Sequence, residues 1–345
     1  MNNYFKSVAL AATVVATGAS AEISETCKAT LADRSSTIIV PNAPGGGYDT
    51  YARAIAPAMA DASGLRVRVV NNEAGGGLVA RRLMLQAGSD DIVILMENAV
   101  DLTVDTVASD SEDTILSVVD TLAIAHVAPD AWILPVGRDI TDLSMTHLVA
   151  AQGSLEDSVI AVVLVGLALG IETEVVGGYG GSSEFVAAVL RGEVDMTSIS
   201  LQTSLRRTEG NDAFVALVVS DAYDAAAPDV PYLAGPGGVA EMRAAGLSAE
   251  VQAERQAYAE AAVGLSGAVR GFYVSNSVDS EFRDCLRDAM EVAMTSPEVA
   301  ETLEAQGRPL APLTGSAATN KAAAMLRAAA SGRALIEQIM ADQED

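Results

Sequence analysis

Lysine is almost missing from this 345-residue chain: it stands only at Lys6, Lys28 and Lys321. A phosphate-binding P-loop needs a lysine directly after its glycines, and none stands there. Schiff-base chemistry is left with Lys28 and Lys321, near the two ends. Histidine is as scarce, at His126 and His147 in separate apolar stretches. With no H-E-x-x-H and no Cys/His spacing, no zinc motif forms, no metal is expected, and both histidines read as buried structural residues. Aromatic residues make up 4%, too few for a base-stacking platform or a β-sandwich core. Positive charge is short as well: 21 Lys and Arg face 46 Asp and Glu, for a net charge of −25. Such a chain repels nucleic acid and anionic lipid. It repels anionic small molecules too, so an anion site here must rest on local donors. The acidity itself reads as solubility.

What is plentiful is small apolar material. Half of the residues are hydrophobic, enough for a large core and incompatible with a disordered chain. Beyond the first residues no apolar run reaches membrane-spanning length. Val159–Leu169 is about half the required length and reads as a buried helix. At the start, Lys6 precedes the apolar run Val8–Ala16, which ends in Ala19-Ser20-Ala21. This is the pattern of a signal peptide over residues 1–21, cut after Ala21, and it predicts export to the periplasm. In an exported protein the two cysteines, Cys27 and Cys285, can form one disulfide; two free buried thiols are the alternative.

The order of patterns predicts an α/β fold. Strands at Thr37–Pro41, Leu65–Val70 and Asp91–Met96 alternate with helices running through Ala62 and Ala87, the grammar of a parallel sheet with flanking helices. Pro57 is expected to kink the first of these helices. Further strands are expected at Leu122–Val127, Ala131–Val136, His147–Ala151, Thr173–Val176, Val194–Ile199 and Phe214–Val219. Helices are expected at Leu155–Leu169 and Glu184–Leu190. The last part reads as helices at Val251–Ala262, Asp279–Thr295, Pro297–Gln306 and Ser316–Met340, with one strand, Arg270–Ser275, among them. A lone strand wants an existing sheet, so the chain is expected to return to its first domain. That gives lobe 1 from residues 22–125 and 266–345, lobe 2 from residues 126–265, and a cleft between them.

Two glycine-rich loops follow strands and open helices: Pro44-Gly45-Gly46-Gly47-Tyr48-Asp49 and Gly180-Gly181-Ser182-Ser183. Without Cβ atoms the backbone N–H groups can approach a ligand, and a helix N-terminus adds free donors and partial positive charge. Each loop makes an anion site that needs no cationic side chain. Gly153-Ser154 can add a third set of donors. Asp49 either caps its helix or orders water in the cleft. A third loop, Gly75–Ala80, matches G-x-G-x-x-A with Glu97 further on, so a dinucleotide-binding oxidoreductase is one alternative. No base is placed beside a nucleophile, and no catalytic residue is assigned. Asp101, Asp105, Asp110, Glu112 and Asp113 lack Ca²⁺-loop spacing and read as a solvated face.

These loops carry a resemblance. Thr37–Glu97 resembles the start of the solute-binding proteins of tripartite tricarboxylate transporters, the Bug receptors. Ala43–Asp49 matches their A-P-G-G-G-x-D loop, Ala52–Pro57 their A-R-x-x-A-P helix, and Asn72–Gly77 their second glycine loop. Gly177–Ser183, Gly192–Asp195, Pro228–Pro231 and Pro297–Gly307 match later segments in order. The resemblance implies a periplasmic-binding-protein (Venus flytrap) clamshell of type II-like form, each lobe a mostly parallel sheet. It implies a monomer without cofactor that closes on a small carboxylate and delivers it to membrane permease subunits. Pro44–Asp49 would hold the ligand from one lobe, Gly153, Ser154 and Gly180–Ser183 from the other, with Glu97 and Asn98 along the cleft. Asp157 stands where the family commonly has histidine; this departure either disfavours a second carboxylate, and so points to a mono-acid or amino-bearing ligand, or is a plain helix cap. A sensor presenting its closed form to a membrane kinase is a further alternative.

Overall fold

The structure, a computed structural model, describes residues 22–102, 118–140, 147–151 and 157–344. Residues 1–21, read above as a signal peptide, and Gly153, Ser154, Asp105, Asp110, Glu112 and Asp113 lie outside the described residues, as does the side chain of Asp157. In chain order, α1 (Glu25–Leu31) leads to β1 (Ser35–Val40), α2 (Gly47–Ser63), β2 (Arg66–Asn71), α3 (Leu78–Gln86) and β3 (Ile92–Glu97). Then come β4 (Val119–Ala128), β5 (Asp130–Pro135), β6 (His147–Ala150), α4 (Asp157–Leu169), β7 (Thr173–Val176), α5 (Ser182–Arg191), β8 (Met196–Ser200), α6 (Leu201–Thr208) and β9 (Ala213–Val218). The remainder is α7 (Val239–Ala244), α8 (Ala249–Leu265), β10 (Ala268–Ser275), α9 (Ser280–Met294), α10 (Pro297–Glu304), β11 (Leu313–Thr314) and α11 (Gly315–Glu344). Pro57 stands inside α2, which runs through it as one helix.

Two sheets form. One has the order β11-β4-β10-β3-β1-β2, the other β7-β6-β8-β5-β9. β1 is parallel to β2 and β3, and β6 is parallel to β7 and β8, as strand–helix–strand units require. The other half of each sheet is antiparallel: β10 against β3 and β4, β11 against β4, and β5 against β8 and β9. The sheets are therefore mixed rather than mostly parallel. The cause lies in the strands next to the crossings. Only Pro129 separates β4 from β5, and β10 re-enters the first sheet straight from α8. β5 follows β4 with no helix between them, and β10, though it follows α8, arrives from the other sheet, so no strand–helix–strand unit within its own sheet sets its direction.

Burial explains the assignments. All six residues of β3 are buried, as expected for a central strand covered on both faces. One core packs Ile38 and Val40 of β1 against Ile55 and Met59 of α2, Phe272 of β10 and Leu286 of α9. A second, larger core runs from Leu95 and Tyr273 to Trp132, Leu164 and Leu217, and so joins both sheets. α11 contributes Ala322, Met325 and Leu326 to it, packing on β4 as well as on α4 and α8. Cys27 of α1 is bonded to Cys285 of α9. The bond closes a span of 258 residues, the long-loop case in which a disulfide contributes about 2–5 kcal/mol. Among the described residues no helix is long and apolar enough to cross a membrane.

Candidate functional site

A cavity of about 350 Å³ lies between the two sheets. Its lining explains itself from local sequence. The strand β1 ends at Val40, and three glycines carry the chain into α2, whose N-cap is Gly46 with no side-chain cap. The first N–H groups of α2 are thus left for another acceptor. Asp49 does not cap the helix. Its Oδ2 accepts from the Gly45 N–H at 2.9 Å and its Oδ1 from Arg53 Nε at 2.9 Å. Burial pushes the Asp49 carboxyl upward, but the bonds from Arg53, Gly45 and Asn71 outweigh it and hold the group below its ordinary value. Asp49 fastens the loop from behind and is not part of the lining.

The opposite wall repeats the device. Gly181 is the N-cap of α5, again without a side-chain cap, and Gly181, Ser182 and Ser183 line the cavity. The Gly180 N–H is spent on Glu184 Oε2 at 2.8 Å. Its carbonyl accepts from the Ala43 N–H at 3.0 Å, so the two glycine loops meet directly. A third N-terminus, that of α6, starts at Ser200; its side chain bonds Thr203 at 2.9 Å rather than capping. Ser200 and Thr203 also line the cavity. Three helix N-termini thus converge on one space, each adding partial positive charge there.

The cation that the glycine loops were expected to do without is nonetheless present. Arg270 of β10 lines the cavity and is only 3% exposed. Its Nη2 donates to Ser200 Oγ at 2.7 Å, and its guanidinium lies 4.4 Å from the centre of the Tyr48 ring. Its Nε and Nη1 meet no hydrogen-bond acceptor among the described residues. Behind it sits Arg308, 1% exposed, with Nη1 donating to Thr203 at 2.7 Å. Burial first, then the charges of Arg270 and Arg206, lower its pKa to about 9. Gly47 makes room for both arginines: a Cβ there would lie 3.0 Å from Arg270 Nη2 and 3.3 Å from Arg308 Nη1. A lone arginine in the apolar strand Arg270–Ser275 was the available signal, since a buried charge wants a partner.

Asp130 lies on the same wall. Burial raises its carboxyl to about 6, against the pull of Arg270 and hydrogen bonds from the Gly267 N–H and Ser266. Asp101, read from sequence as part of a solvated face, also lines the cavity. It follows the buried Val100 in a short turn that packs under the site, which its charge pattern did not reveal. Trp132, Val162, Val165 and Val219 supply an apolar surface. His126 stacks on Tyr51, and burial, then Arg270, lower its pKa to about 4.

Of the residues expected at the site, Pro44, Gly46, Gly47, Tyr48, Asn98, Gly181, Ser182 and Ser183 line the cavity, whereas Gly45, Asp49, Glu97 and Gly180 do not. Glu97 is 3% exposed and faces away, held by Arg81 Nη2 at 2.7 Å and Nε at 3.0 Å. The dinucleotide pattern fails for the same reason, since its acidic residue is occupied. Gly75–Ala80 also lies outside the cavity. Gly77 serves packing instead, since a Cβ there would come 2.8 Å from Pro41 Cβ.

No family model matches this sequence. A curated relative, the UPF0065 protein of the tcbD–tcbE intergenic region of Pseudomonas sp. (strain P51), is 29% identical over 218 residues. That match covers 59% of this chain and 63% of the relative, just under two thirds of its length. A TctC solute-binding protein from Polaromonas superposes with a TM-score of 0.57 at 17% identity, over 89% of this chain and 99% of its own. The periplasmic binding protein BugD gives a TM-score of 0.65 at 16% identity, over 89% and 97%. MatC from Rhodopseudomonas palustris with bound malate gives 0.63 at 20%, over 87% and 97%. In fold, this chain is a two-lobed α/β clamshell of the kind the TctC and BugD solute-binding proteins have, and the resemblance carried by its glycine loops runs to those same neighbours.

Proposed function

We propose that this protein is a periplasmic receptor that closes on a small organic carboxylate and delivers it, as a monomer, to the permease subunits of a tripartite tricarboxylate-type transporter. The observation that supports this most is the convergence of three helix N-termini and the buried Arg270 on one cavity, in a molecule whose overall charge repels anions. Residues 22–125 with 266–345 act as one lobe and residues 126–265 as the other. Pro44–Asp49 serve from one side, with Asp49 as a brace, and Gly180–Ser183 from the other, with Gly153 and Ser154 beside them. Glu97 stays paired with Arg81 outside the cavity, Asn98 lines it, and Asp157 stands at the start of α4. The role is binding without catalysis. A disulfide closing so long a span suits an oxidising, exported setting.

Closure follows if the ligand has greater affinity for the closed form than for the open one. A thermal-unfolding screen of mono-, di- and tricarboxylates and amino acids tests the reading. A ligand at about 100 times its Kd stabilises the fold by about 2.7 kcal/mol. The expected result is a saturable rise in melting temperature with at least one of these acids. No rise with any of them would overturn the receptor reading.

A further inference from the structure

The cavity carries a cation and an anion side by side that do not satisfy each other. Arg270 Nη2 is bonded to Ser200 Oγ at 2.7 Å, and Ser200 is the cross-strand partner of Asp130 in the antiparallel pair β5–β8. Side chains opposite one another in such a pair start about 4.5–5.5 Å apart at Cβ. Among the described residues, Arg270 Nε and Nη1 meet no acceptor, and the residue is 3% exposed. The Tyr48 ring, 4.4 Å away, fixes the plane of its fork. Asp130 is turned toward the Ser266 hydroxyl and the Gly267 N–H instead. Nη2 carries a second N–H beside that of Nη1, and this end of the guanidinium matches a carboxylate in bidentate fashion. A carboxylate one wall position away matches an ammonium group.

Resting on the receptor reading above, we propose that Arg270 grips the carboxylate of the ligand directly and that Asp130 receives its ammonium group, so that the cavity selects a zwitterionic amino acid with an apolar side chain over di- and tricarboxylates. The rest of the lining agrees. Asp101, Asp130 and Glu184 all line the cavity and disfavour a second ligand carboxylate, while Trp132, Val162 and Val165 offer a surface for an aliphatic side chain. Charge discrimination of this kind comes from what the site repels as much as from what it binds.

Calorimetric titration of the whole mature chain with L-valine, 3-methylbutanoate and malate tests this. Valine and 3-methylbutanoate share a carboxylate and an aliphatic body and differ in the ammonium group. The expected result is valine binding at least about 100-fold more tightly than either of the others. Arg270→Gln should cost valine at least about 100-fold, and Arg270→Lys less, because charge without the fork restores part of the contact. Asp130→Asn, which keeps size and hydrogen bonding, should cost valine at least about tenfold and spare or improve 3-methylbutanoate. If 3-methylbutanoate or malate binds as well as valine and Asp130→Asn changes neither, selection of an amino acid is overturned. If Arg270→Gln, folded by its melting curve, binds within threefold of the parent, the anchor is overturned while the receptor reading stands. If none of the three binds but other acids stabilise the fold, the ligand class is wrong and the receptor reading again stands.

Discussion

Asp130 and His126 sit near the same arginine and respond to pH in opposite directions. The folded Asp130 carboxyl, raised to about 6, binds its proton more tightly than the unfolded group does. Its burial therefore costs stability above pH 6, and the cost fades as pH falls toward 4. The imidazole of His126, lowered to about 4, binds its proton less tightly than in the unfolded chain. It weakens the fold as pH falls from about 6.5 to 4. Asp130→Asn should therefore raise the melting temperature at pH 8 by about 2–4 °C. The gain should shrink toward pH 4, leaving a steeper acid limb set by His126. Thermal unfolding at a series of pH values measures both, and an Asp130→Asn gain that is flat across pH would contradict the burial assigned to Asp130. At this scale the sequence was least legible. The glycine loops announce themselves because backbone exposure needs adjacent glycines. Asp101 does not, and Arg270 shows only as a lone charge in an apolar strand, because what matters is a long-range neighbour: Ser200 for Arg270, the cavity wall for Asp101.

At the scale of elements, local patterns carried most of the fold. The β1, β2 and β3 strands and their helices follow from apolar runs broken by glycine loops, and the expected and observed bounds differ by only a residue or two at most ends. α6 and α7 were not legible. α6 is eight residues long with arginines in its last turn, and α7 is six residues long after a Pro/Gly-rich loop. Helices so short draw their stability from tertiary packing rather than from propensity. Strand direction was legible only where a helix separates two strands. The N-terminus of α2 offers the sharpest test at this scale. A Cβ on Gly46 would meet only ordinary contacts, 3.6 Å from the Ala43 carbonyl oxygen and 3.9 Å from Ser182 Oγ. One on Gly47 would press the tips of both arginines. Those tips can shift, so Gly47→Ala should leave the melting temperature within about 2 °C while weakening ligand binding about tenfold. Gly46→Ala should weaken it less. Titration of the two variants beside the parent checks the order, and a reversed order would place the ligand away from Arg270.

For the molecule as a whole, the structure is a closed clamshell. The Ala43 N–H bonds the Gly180 carbonyl at 3.0 Å, Arg308 bonds Thr203, and Arg207 Nη2 reaches the Gly45 carbonyl at 3.4 Å. Each of these joins a residue near the first sheet to one near the second. Arg270 is 3% exposed in this form, and burying a cation without its counter-charge is unfavourable. Under the proposed function an anion in the cavity would offset that cost and so favour the closed form. The chain holds a single tryptophan, Trp132, fully buried and lining this cavity. Its fluorescence therefore reports on the site without a label. Titrating the protein with the acid that most raises its melting temperature should change Trp132 emission saturably at one equivalent, and Arg270→Gln should abolish that change. Saturable binding that leaves Trp132 emission untouched, or an unaltered response in Arg270→Gln, would contradict the claim that ligands are held between the lobes.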